Sequence, residues 1–295
     1  MDLLLPSGTD ALLRDLVHER AGIFYDEEKS PLFLEKLSTL VIDRGFQSFL
    51  DYYYLLRYDD RNDQEWNRVI DAITVQETYF WREIDQIRAL VDILLPHWIS
   101  EGRTAPLRIW SAACATGEEP LSIAMALNET GWFQRIPIEI WATDASGAAL
   151  EKARAGLYHE RAFRNLPATL RARYFCREDG GWQVDPALHR RINWAQANLI
   201  NRAEVAPFAS APFIMCRNVF IYFSESMIRR AVKTFADHIQ SPGYLFVGVA
   251  ESLLKVSNEF ELTDIGKAFV YQRSDLFEST LTTNQKVATA GKGYA

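Results

Sequence analysis

The chain has 295 residues, of which 48% are hydrophobic, enough to bury one large core or two smaller ones. Its formal net charge is −7 at pH 7 and its sequence pI is about 5.4, so its overall charge attracts neither a nucleic-acid backbone nor an anionic membrane surface. No basic leader begins the chain, no apolar run approaches the ~20 residues of a membrane span, and three separated cysteines are too few for a disulfide framework. We therefore expect a cytoplasmic protein with no nucleic-acid partner and no direct membrane insertion.

The first seventy residues have the apolar spacing of amphipathic helices. Apolar side chains recur three and four residues apart, as at Leu37, Leu40 and Val41. Glycines such as Gly22 mark turns between these runs. The pattern predicts a small all-α domain, which we place at residues 1–72.

From Leu107 onward, short apolar strands alternate with helical segments. The predicted strands are LRIW, IEIWAT, FIMCRNVFIYF and YLFVGVA, and the predicted helices cover 120–129, 146–155 and 225–239. Such alternation is typical of a parallel sheet with helices on both faces. A sheet of this kind binds ligands at the carboxyl ends of its strands, where the strand order reverses.

The α/β part is expected to extend over residues 73–275. A turn-rich segment containing DGGWQVDP interrupts it and predicts a small β-subdomain at about 171–195. The last residues, 276–295, are small and polar and are expected to form a flexible tail.

The loop SAACATGEEP, residues 111–120, lies between the first of these strands and a helix. In dinucleotide-binding folds a glycine-rich loop at this place lets a pyrophosphate approach the helix N-terminus. Here the only glycine is Gly117, and Glu118 and Glu119 would repel a phosphate. A carboxylate in the loop instead suits a ligand with a cationic part, such as S-adenosylmethionine, which carries a sulfonium and an ammonium. We expect Glu118 to face this ligand, whereas Glu119 stands three residues after Thr116 and fits a capping box.

Asp144 closes the next strand in the segment IWATDAS. An acid at the end of the second strand accepts hydrogen bonds from ribose hydroxyls in dinucleotide folds, and the same geometry serves any adenosine ligand. We therefore predict that Asp144 contacts the ribose. The alternative is that it only caps the helix predicted over 146–155.

Several separated motifs resemble the chemotaxis receptor methyltransferases, the CheR family. They are TVQETYFWRE at 74–83, the loop SAACATGEEP, IWATD, and MCRNVFIYF at 215–223, and the likeness extends from GFQSFLDYYYLL to GYLFVGVAESL and FVYQR. The resemblance implies a Rossmann-like class I S-adenosylmethionine-dependent methyltransferase domain with a small β-subdomain, preceded by an all-α N-terminal domain. It also implies methyl transfer from S-adenosylmethionine to glutamate side chains of chemoreceptors (methyl-accepting chemotaxis proteins). The products would be glutamate methyl esters and S-adenosylhomocysteine, in sensory adaptation.

The resemblance implies a set of site residues as well. The expected cofactor contacts are Gln76, Thr78, Arg82, Glu118, Asp144, Asn198, Leu199, Arg217 and Asn218. Arg82 is expected near the methionine end and the reacting carboxylate, and Tyr222 beside the transferred methyl, so these two are the candidate catalytic residues. Family members often have Asn where this chain has Gln76, which displaces the amide by one methylene.

Within that set, Glu118 would face the methionyl part of the cofactor and Asp144 its ribose. Asn198 and Leu199 would border the adenine. No metal site is predicted, because the five histidines are scattered and no cluster has ligand spacing.

The implied partner is the cytoplasmic domain of a chemoreceptor or a related signalling protein. We expect this chain itself to be a monomer. In the family a basic helix of the N-terminal domain docks on the receptor, and Lys29, Lys36 and Arg44 are the candidates here. Glu35 and Asp43 dilute the positive face of this segment, so either the receptor differs or docking depends more on shape. In some relatives the β-subdomain binds a receptor's C-terminal pentapeptide. The corresponding segment here, YFCREDGGWQVDP, is shorter than in those relatives, so we expect no such tethering.

Alternatives stay open at this point. A methyltransferase for a different acceptor would keep the cofactor, and a non-catalytic regulator would bind S-adenosylmethionine without turnover. An NAD-dependent oxidoreductase is disfavoured, because the loop lacks GxGxxG and has acids where a pyrophosphate would lie.

Overall fold

The computed structural model describes residues 3–59, 63–102 and 106–273, and the tail predicted at 276–295 lies outside them. The N-terminal part consists of helices α1 (Thr9–Ala21), α2 (Ser30–Asp43), α3 (Phe49–Tyr58) and α4 (Asp63–Ile73). These helices enclose an apolar core of their own, in which Leu13, Val17 and Phe33 are fully buried. The helical character predicted for this part of the chain is confirmed.

A buried carboxylate lies inside the helical part. Glu65 is fully buried and accepts hydrogen bonds from the Tyr52 hydroxyl at 2.7 Å and from Arg44 Nε at 2.7 Å. Arg68 Nη1 lies 3.3 Å from the same carboxylate. Burial alone would raise the pKa of Glu65, but the hydrogen bonds from Arg44 and Tyr52 outweigh it and lower the pKa. The ionised carboxylate therefore joins α3 and α4 to the residue that caps the C-terminus of α2.

The second part of the chain alternates strands and helices. It begins with α5 (Ile84–Arg88), which continues through a π-helical turn (Ala89–Leu94) into α6 (Leu95–Ser100). The helices that follow are α7 (Glu118–Glu129), α8 (Gly147–Ala155), α9 (Ala168–Tyr174), α10 (Pro186–His189), α11 (Arg202–Ala209) and α12 (Glu225–His238). The strands are β1 (Leu107–Ala112), β2 (Ile138–Asp144), β3 (Leu157–Tyr158), β4 (Phe175–Glu178), β5 (Gly181–Val184), β6 (Ile192–Gln196), β7 (Phe213–Met215), β8 (Tyr244–Phe246), β9 (Phe260–Ile265) and β10 (Ala268–Arg273).

Seven strands form one sheet in the order β6-β2-β1-β7-β8-β10-β9. The first five are parallel to one another, as predicted, and β10 runs antiparallel between β8 and β9. Side chains on the two faces enter two separate cores: Ile109 joins one and its neighbour Trp110 the other. Because α7 packs into the first core and α12 into the second, helices cover both faces of the sheet, as the sequence predicts.

Two local features differ from the sequence-based expectation. The small sheet β3-β5-β4 begins at Leu157, earlier than the segment predicted at 171–195, and β6 from the end of that segment belongs to the main sheet. The strand predicted for FIMCRNVFIYF ends at Met215, because Asn218 adopts a left-handed conformation with φ 58° and a 3-10 turn follows over Phe220–Tyr222. No helix among the described residues is long and apolar enough to cross a membrane.

Replacing Glu65 by alanine removes the acceptor that Tyr52, Arg44 and Arg68 share. We expect the free energy of unfolding, measured by urea titration with far-UV circular dichroism, to fall by about 2–4 kcal/mol. The matched control is Glu35→Ala on the exposed face of α2, which we expect to change it by less than about 0.5 kcal/mol. Equal small losses in both variants would contradict a structural role for the buried carboxylate.

Candidate active site

A cavity opens at the carboxyl ends of β1, β2 and β7, where the strand order reverses. Apolar residues of the helical part also line it, including Ile23, Ile70 and Ile73. Nine of the ten residues that the sequence predicts for the site line it: Gln76, Thr78, Arg82, Asp144, Asn198, Leu199, Arg217, Asn218 and Tyr222. The exception is Glu118, which is not among the lining residues.

The backbone around this cavity is strained. Among the described residues, the non-glycine residues with positive φ are Trp81, Glu83, Ala113, Ala115 and Asn218, with φ between 48° and 67°. Each lies in one of three segments that border the cavity: the linker after α4 (residues 74–83), the loop after β1 together with the start of α7 (residues 113–119), and the segment after β7 (residues 216–224). A left-handed residue other than glycine costs about 1–3 kcal/mol and tends to occur at functional sites. The strain therefore marks the same place as the sheet topology.

Asp144 ends β2 with its carboxylate held in place. Its Oδ2 accepts a hydrogen bond from the Ala115 backbone N–H at 2.8 Å, and its Oδ1 accepts one from Ser146 N–H at 2.8 Å. Burial raises the pKa of Asp144, and these backbone hydrogen bonds oppose the rise. Helix α8 is capped by Ser146, whose hydroxyl accepts from Ala149 N–H at 3.0 Å. The capping alternative for Asp144 is therefore wrong, and Asp144 lines the cavity.

The two acids of the loop after β1 point to different places. Glu118 is 4% exposed and accepts a hydrogen bond from the Thr116 hydroxyl at 2.6 Å. Glu119 lines the cavity and accepts one from the Ser111 hydroxyl at 2.6 Å. The N-cap of α7 is Gly117 in a left-handed conformation, without a side-chain cap, so the expected capping box of Thr116 and Glu119 is wrong. The acid that this loop presents to the cavity is Glu119.

Both glutamates have perturbed acidities. Burial raises the pKa of Glu118 to about 7, against the hydrogen bond from Thr116. Burial also raises the pKa of Glu119, and the nearby guanidinium of Arg217 opposes that rise. A cationic ligand beside Glu119 would favour the ionised carboxylate further.

Arg217 follows β7 and connects the linker to the loop after β1. Its side chain is 2% exposed; Nη2 donates to the Arg82 carbonyl at 2.6 Å and lies 3.3 Å from Glu83 Oε2, while Nη1 lies 3.5 Å from Glu119 Oε2. Arg217 Nε, although buried, has no hydrogen-bond partner in the described part of the chain. A buried unpaired N–H is costly, and its residue lines the cavity, so a ligand oxygen fits there.

The linker carries Arg82 at the cavity. Arg82 Nη1 donates to the Glu77 carbonyl at 3.0 Å, and its side chain is 26% exposed. The Glu77 carboxylate is held by Arg161 at 2.5 Å and Arg164 at 2.7 Å. The linker is thus fixed to the segment that precedes α9, and Arg82 keeps access to solvent.

Tyr222 lines the cavity from the segment after β7. Its carbonyl accepts a hydrogen bond from Phe24 N–H at 2.8 Å, which joins this segment to the helical part. Burial raises the pKa of Tyr222. The phenol therefore stays protonated at neutral pH, and it can donate a hydrogen bond but cannot act as a base.

Two predicted contacts have their side-chain amides engaged within the protein. Gln76 Oε1 accepts from Lys152 Nζ at 2.9 Å, and Gln76 Nε2 lies 3.4 Å from Ser146 Oγ. Asn198 Nδ2 donates to the Arg20 carbonyl at 2.8 Å. These amides fix the walls of the cavity by joining the linker to α8 and the segment after β6 to α1.

The predicted docking side chains are less available than their sequence suggests. Lys36 Nζ donates to the Ile73 carbonyl at 3.0 Å, and burial lowers the pKa of its ammonium. Arg44 is paired with Glu65 at 2.5 Å. Lys29 is exposed beside Asp26 at 3.1 Å. Two of the three basic groups therefore already have partners within the helical part, although the Arg44 side chain stays 37% exposed.

Sequence reasoning misses part of this site. The contributions of Ile23, Ile70 and Ile73 have no sequence signal, because an isoleucine that lines a cavity has the same helical spacing as one in a core. The loop sequence favours Glu118 over Glu119 as the ligand-facing acid, whereas Glu119 is the one of the two that lines the cavity. The direction of either side chain depends on the turn at Gly117.

The cavity fits a ligand with opposite charges in its parts. It presents two acceptors, the carboxylates of Glu119 and Asp144, and one buried donor at Arg217 Nε. This combination suits ribose hydroxyls and the ammonium and carboxylate of an amino acid, and the acids disfavour a phosphate. These two acceptors and one donor are the groups expected to bind S-adenosylmethionine.

Comparison with known proteins indicates the same cofactor. A family model described as "CheR methyltransferase, SAM binding domain" matches residues 76–269, and one described as "CheR methyltransferase, all-alpha domain" matches residues 11–74. The chain is 35% identical over 263 residues to chemotaxis protein methyltransferase 2 of Vibrio cholerae serotype O1, covering 88% of this chain and 91% of that protein. It is 34% identical over 245 residues to the chemotaxis protein methyltransferase of Borreliella burgdorferi, covering 81% and 86%. The corresponding protein of Escherichia coli (strain K12) is 31% identical over 256 residues, covering 85% and 86%.

Replacing Glu118 by glutamine keeps an acceptor for Thr116 and removes a titrating group. Because the folded-state pKa is about 7 and the ordinary value is 4.5, the folded chain binds more protons than the unfolded chain between these values, so stability falls as pH rises through this window. We expect Glu118→Gln to be more stable than the parent at pH 8.5, on the order of 2 kcal/mol, with a smaller gain at pH 5.5.

Urea unfolding at the two pH values measures this difference. The matched control is Glu178→Gln on the exposed edge of β4, whose stability should follow the parent at both pH values. A difference between Glu118→Gln and the parent that does not change with pH would contradict the raised pKa.

Proposed function

The chain belongs to the CheR family of S-adenosylmethionine-dependent methyltransferases, and on that basis we propose that it methylates glutamate side chains in the cytoplasmic domain of a chemoreceptor or a related signalling protein. The products are glutamate 5-O-methyl esters and S-adenosylhomocysteine. One observation carries the proposal: a single cavity joins the acids suited to the cofactor with a partly exposed arginine suited to a carboxylate acceptor.

When bound, S-adenosylmethionine supplies an electrophilic methyl group on a sulfonium. Asp144 accepts hydrogen bonds from the ribose hydroxyls, which its position at the end of β2 favours. Glu119 accepts from the methionyl ammonium and takes the role that the sequence assigns to Glu118. Arg217 Nε donates to the methionyl carboxylate, which satisfies its unpaired N–H. Leu199 supplies an apolar wall for the adenine.

The acceptor needs no general base. A glutamate carboxylate is already ionised at pH 7, so the protein has only to align it with the methyl group. Alignment of two reactants can lower a barrier by ~7–11 kcal/mol. Arg82 binds the incoming carboxylate, and the protonated Tyr222 donates a neutral hydrogen bond beside it. Arg82 alone is a suitable number of cations for this step, because the sulfonium and the carboxylate neutralise each other when the methyl group is transferred. Stronger stabilisation of these two ions would favour the ground state over the transition state.

The receptor would approach over the mouth of this cavity. Because Lys36 donates to a backbone carbonyl and Arg44 is paired with Glu65, docking depends on shape and on exposed groups such as Lys29 more than on a basic helix. Every residue assigned a role lies in one chain, so the proposal requires only a monomer.

Replacing Asp144 by alanine tests the cofactor pocket. We expect calorimetric titration with S-adenosylhomocysteine to show binding that weakens at least about 10-fold in this variant, because the ribose hydroxyls lose a charged acceptor. Asp264→Ala on the exposed edge strand β9 is the matched control and should bind as the parent does. NADH should not bind. Unchanged affinity in Asp144→Ala, or competition by NADH, would contradict the assignment.

Replacing Arg82 by alanine tests the acceptor. With methyl-labelled S-adenosylmethionine and a chemoreceptor cytoplasmic fragment, base-labile methyl ester should form with kcat/KM lower by about 10²-fold, because the carboxylate is no longer positioned. Tyr222→Phe should have a smaller effect, and Arg88→Ala, whose side chain is 60% exposed on α5, should transfer as the parent does.

Two outcomes count against this proposal in different ways. Near-parental transfer by Arg82→Ala would remove the arginine from its role. A parent protein that binds S-adenosylhomocysteine but methylates no receptor fragment would contradict the acceptor and leave the cofactor assignment in place.

A further inference from the structure

Asn218 is held at its backbone by a carboxylate that does not line the cavity. Its N–H donates to Glu251 Oε2 at 2.8 Å, and the same oxygen accepts from Gly248 N–H at 2.6 Å. Glu251 Oε1 accepts from Ile221 N–H at 3.3 Å. These bonds stabilise the segment after β7 in the turn where Asn218 has φ 58°, a conformation that asparagine tolerates better than most residues.

A second carboxylate holds the side chain of Asn218. Its Nδ2 donates to Glu83 Oε1 at 3.1 Å, while Glu83 Oε2 lies 3.3 Å from both Arg217 Nη2 and Val249 N. Gly248 packs directly against the amide: a Cβ at position 248 would lie 2.3 Å from Asn218 Nδ2. The amide is therefore enclosed by Glu83 on one side and by the backbone of the loop after β8 on another.

The carboxylate of Glu83 determines the orientation of the Asn218 side-chain amide. An ionised carboxylate only accepts hydrogen bonds, so the NH₂ group must face Glu83, and the reversed amide would place two oxygens together. Asn218 Oδ1 makes no hydrogen bond to another described residue, and Asn218 lines the cavity beside Arg217. The amide is thus held with its oxygen left available as an acceptor.

We propose that Glu83 is a positioning residue that fixes the Asn218 amide so that its oxygen accepts from the cationic methionyl end of the cofactor. Glu83 itself does not line the cavity. This inference rests on the proposed function, since it needs a cofactor with a cationic part, and Glu119 and Asn218 Oδ1 then form two acceptors around one ammonium.

A charge exchange between the two residues tests the proposal. Asn218→Asp places a carboxylate against Glu83, so S-adenosylhomocysteine should bind at least 10-fold more weakly. Glu83→Gln should bind about 3- to 10-fold more weakly, because the amide of Asn218 is no longer fixed by an acceptor-only group. In the double variant Glu83→Gln/Asn218→Asp, the amide introduced at position 83 can donate to the new carboxylate at position 218, and affinity should recover to within about 3-fold of Glu83→Gln alone.

The background variant Asn218→Ala gives a second measurement that needs no charge exchange. If Glu83 acts through Asn218, Glu83→Gln should cost clearly less affinity in the Asn218→Ala background than in the parent, and the loss that remains there reports the pair of Glu83 with Arg217. Glu225→Gln on α12, with a side chain 63% exposed, is the matched control and should bind as the parent does. Thermal unfolding of each variant reports whether the folded state is retained.

The outcomes separate this inference from the proposed function. No recovery in the charge-exchanged variant, or an equal loss from Glu83→Gln in the Asn218→Ala background, would overturn the positioning role. If the folded parent fails to bind S-adenosylhomocysteine, the proposed function fails first.

Discussion

A buried guanidinium is the interaction on which the site depends. Arg217 is removed from water at the end of β7, where an unpaired charge would cost several kcal/mol. Its neighbours Glu83 and Glu119 and the carbonyl of Arg82 come from two other segments of the chain. The Arg217 guanidinium can be buried only when these segments come together. The need to pair this one charge therefore holds the linker, the loop after β1 and the segment after β7 in place.

The helical part contributes to this site as well as packing beside it. Asp71 of α4 accepts from the Ser146 hydroxyl at 2.6 Å and from Ala148 N–H at 3.2 Å, at the start of the helix that follows Asp144. Phe24 N–H binds the Tyr222 carbonyl at 2.8 Å, and an isolated bridge pairs Ile23 with Phe223. Because apolar residues of the same part line the cavity, the all-α part and the sheet together form its walls.

The sequence predicts the parts of this arrangement that depend on periodicity and on strand ends. The alternating strands and helices, the parallel order near β1 and the acid at Asp144 all follow from local patterns. The choice between Glu118 and Glu119 does not, because one residue of helical rotation, set by Gly117, decides which carboxylate reaches the cavity. The strand predicted through Tyr222 ends early because contacts with Glu83 and Glu251, distant in sequence, hold Asn218 in a conformation that propensity does not favour. The engagement of Lys36 with the end of α4 is likewise a tertiary contact that composition does not reveal.

Gly248 has a consequence for how this enzyme can vary. Any side chain there would collide with the Asn218 amide, so even alanine would displace an atom of the site. The residue supplies space and takes no part in the chemistry. Substitution is therefore restricted at position 248, although a loop glycine outside the cavity would be expected to tolerate change. The exposed neighbour Val249 can vary freely as long as position 248 remains glycine.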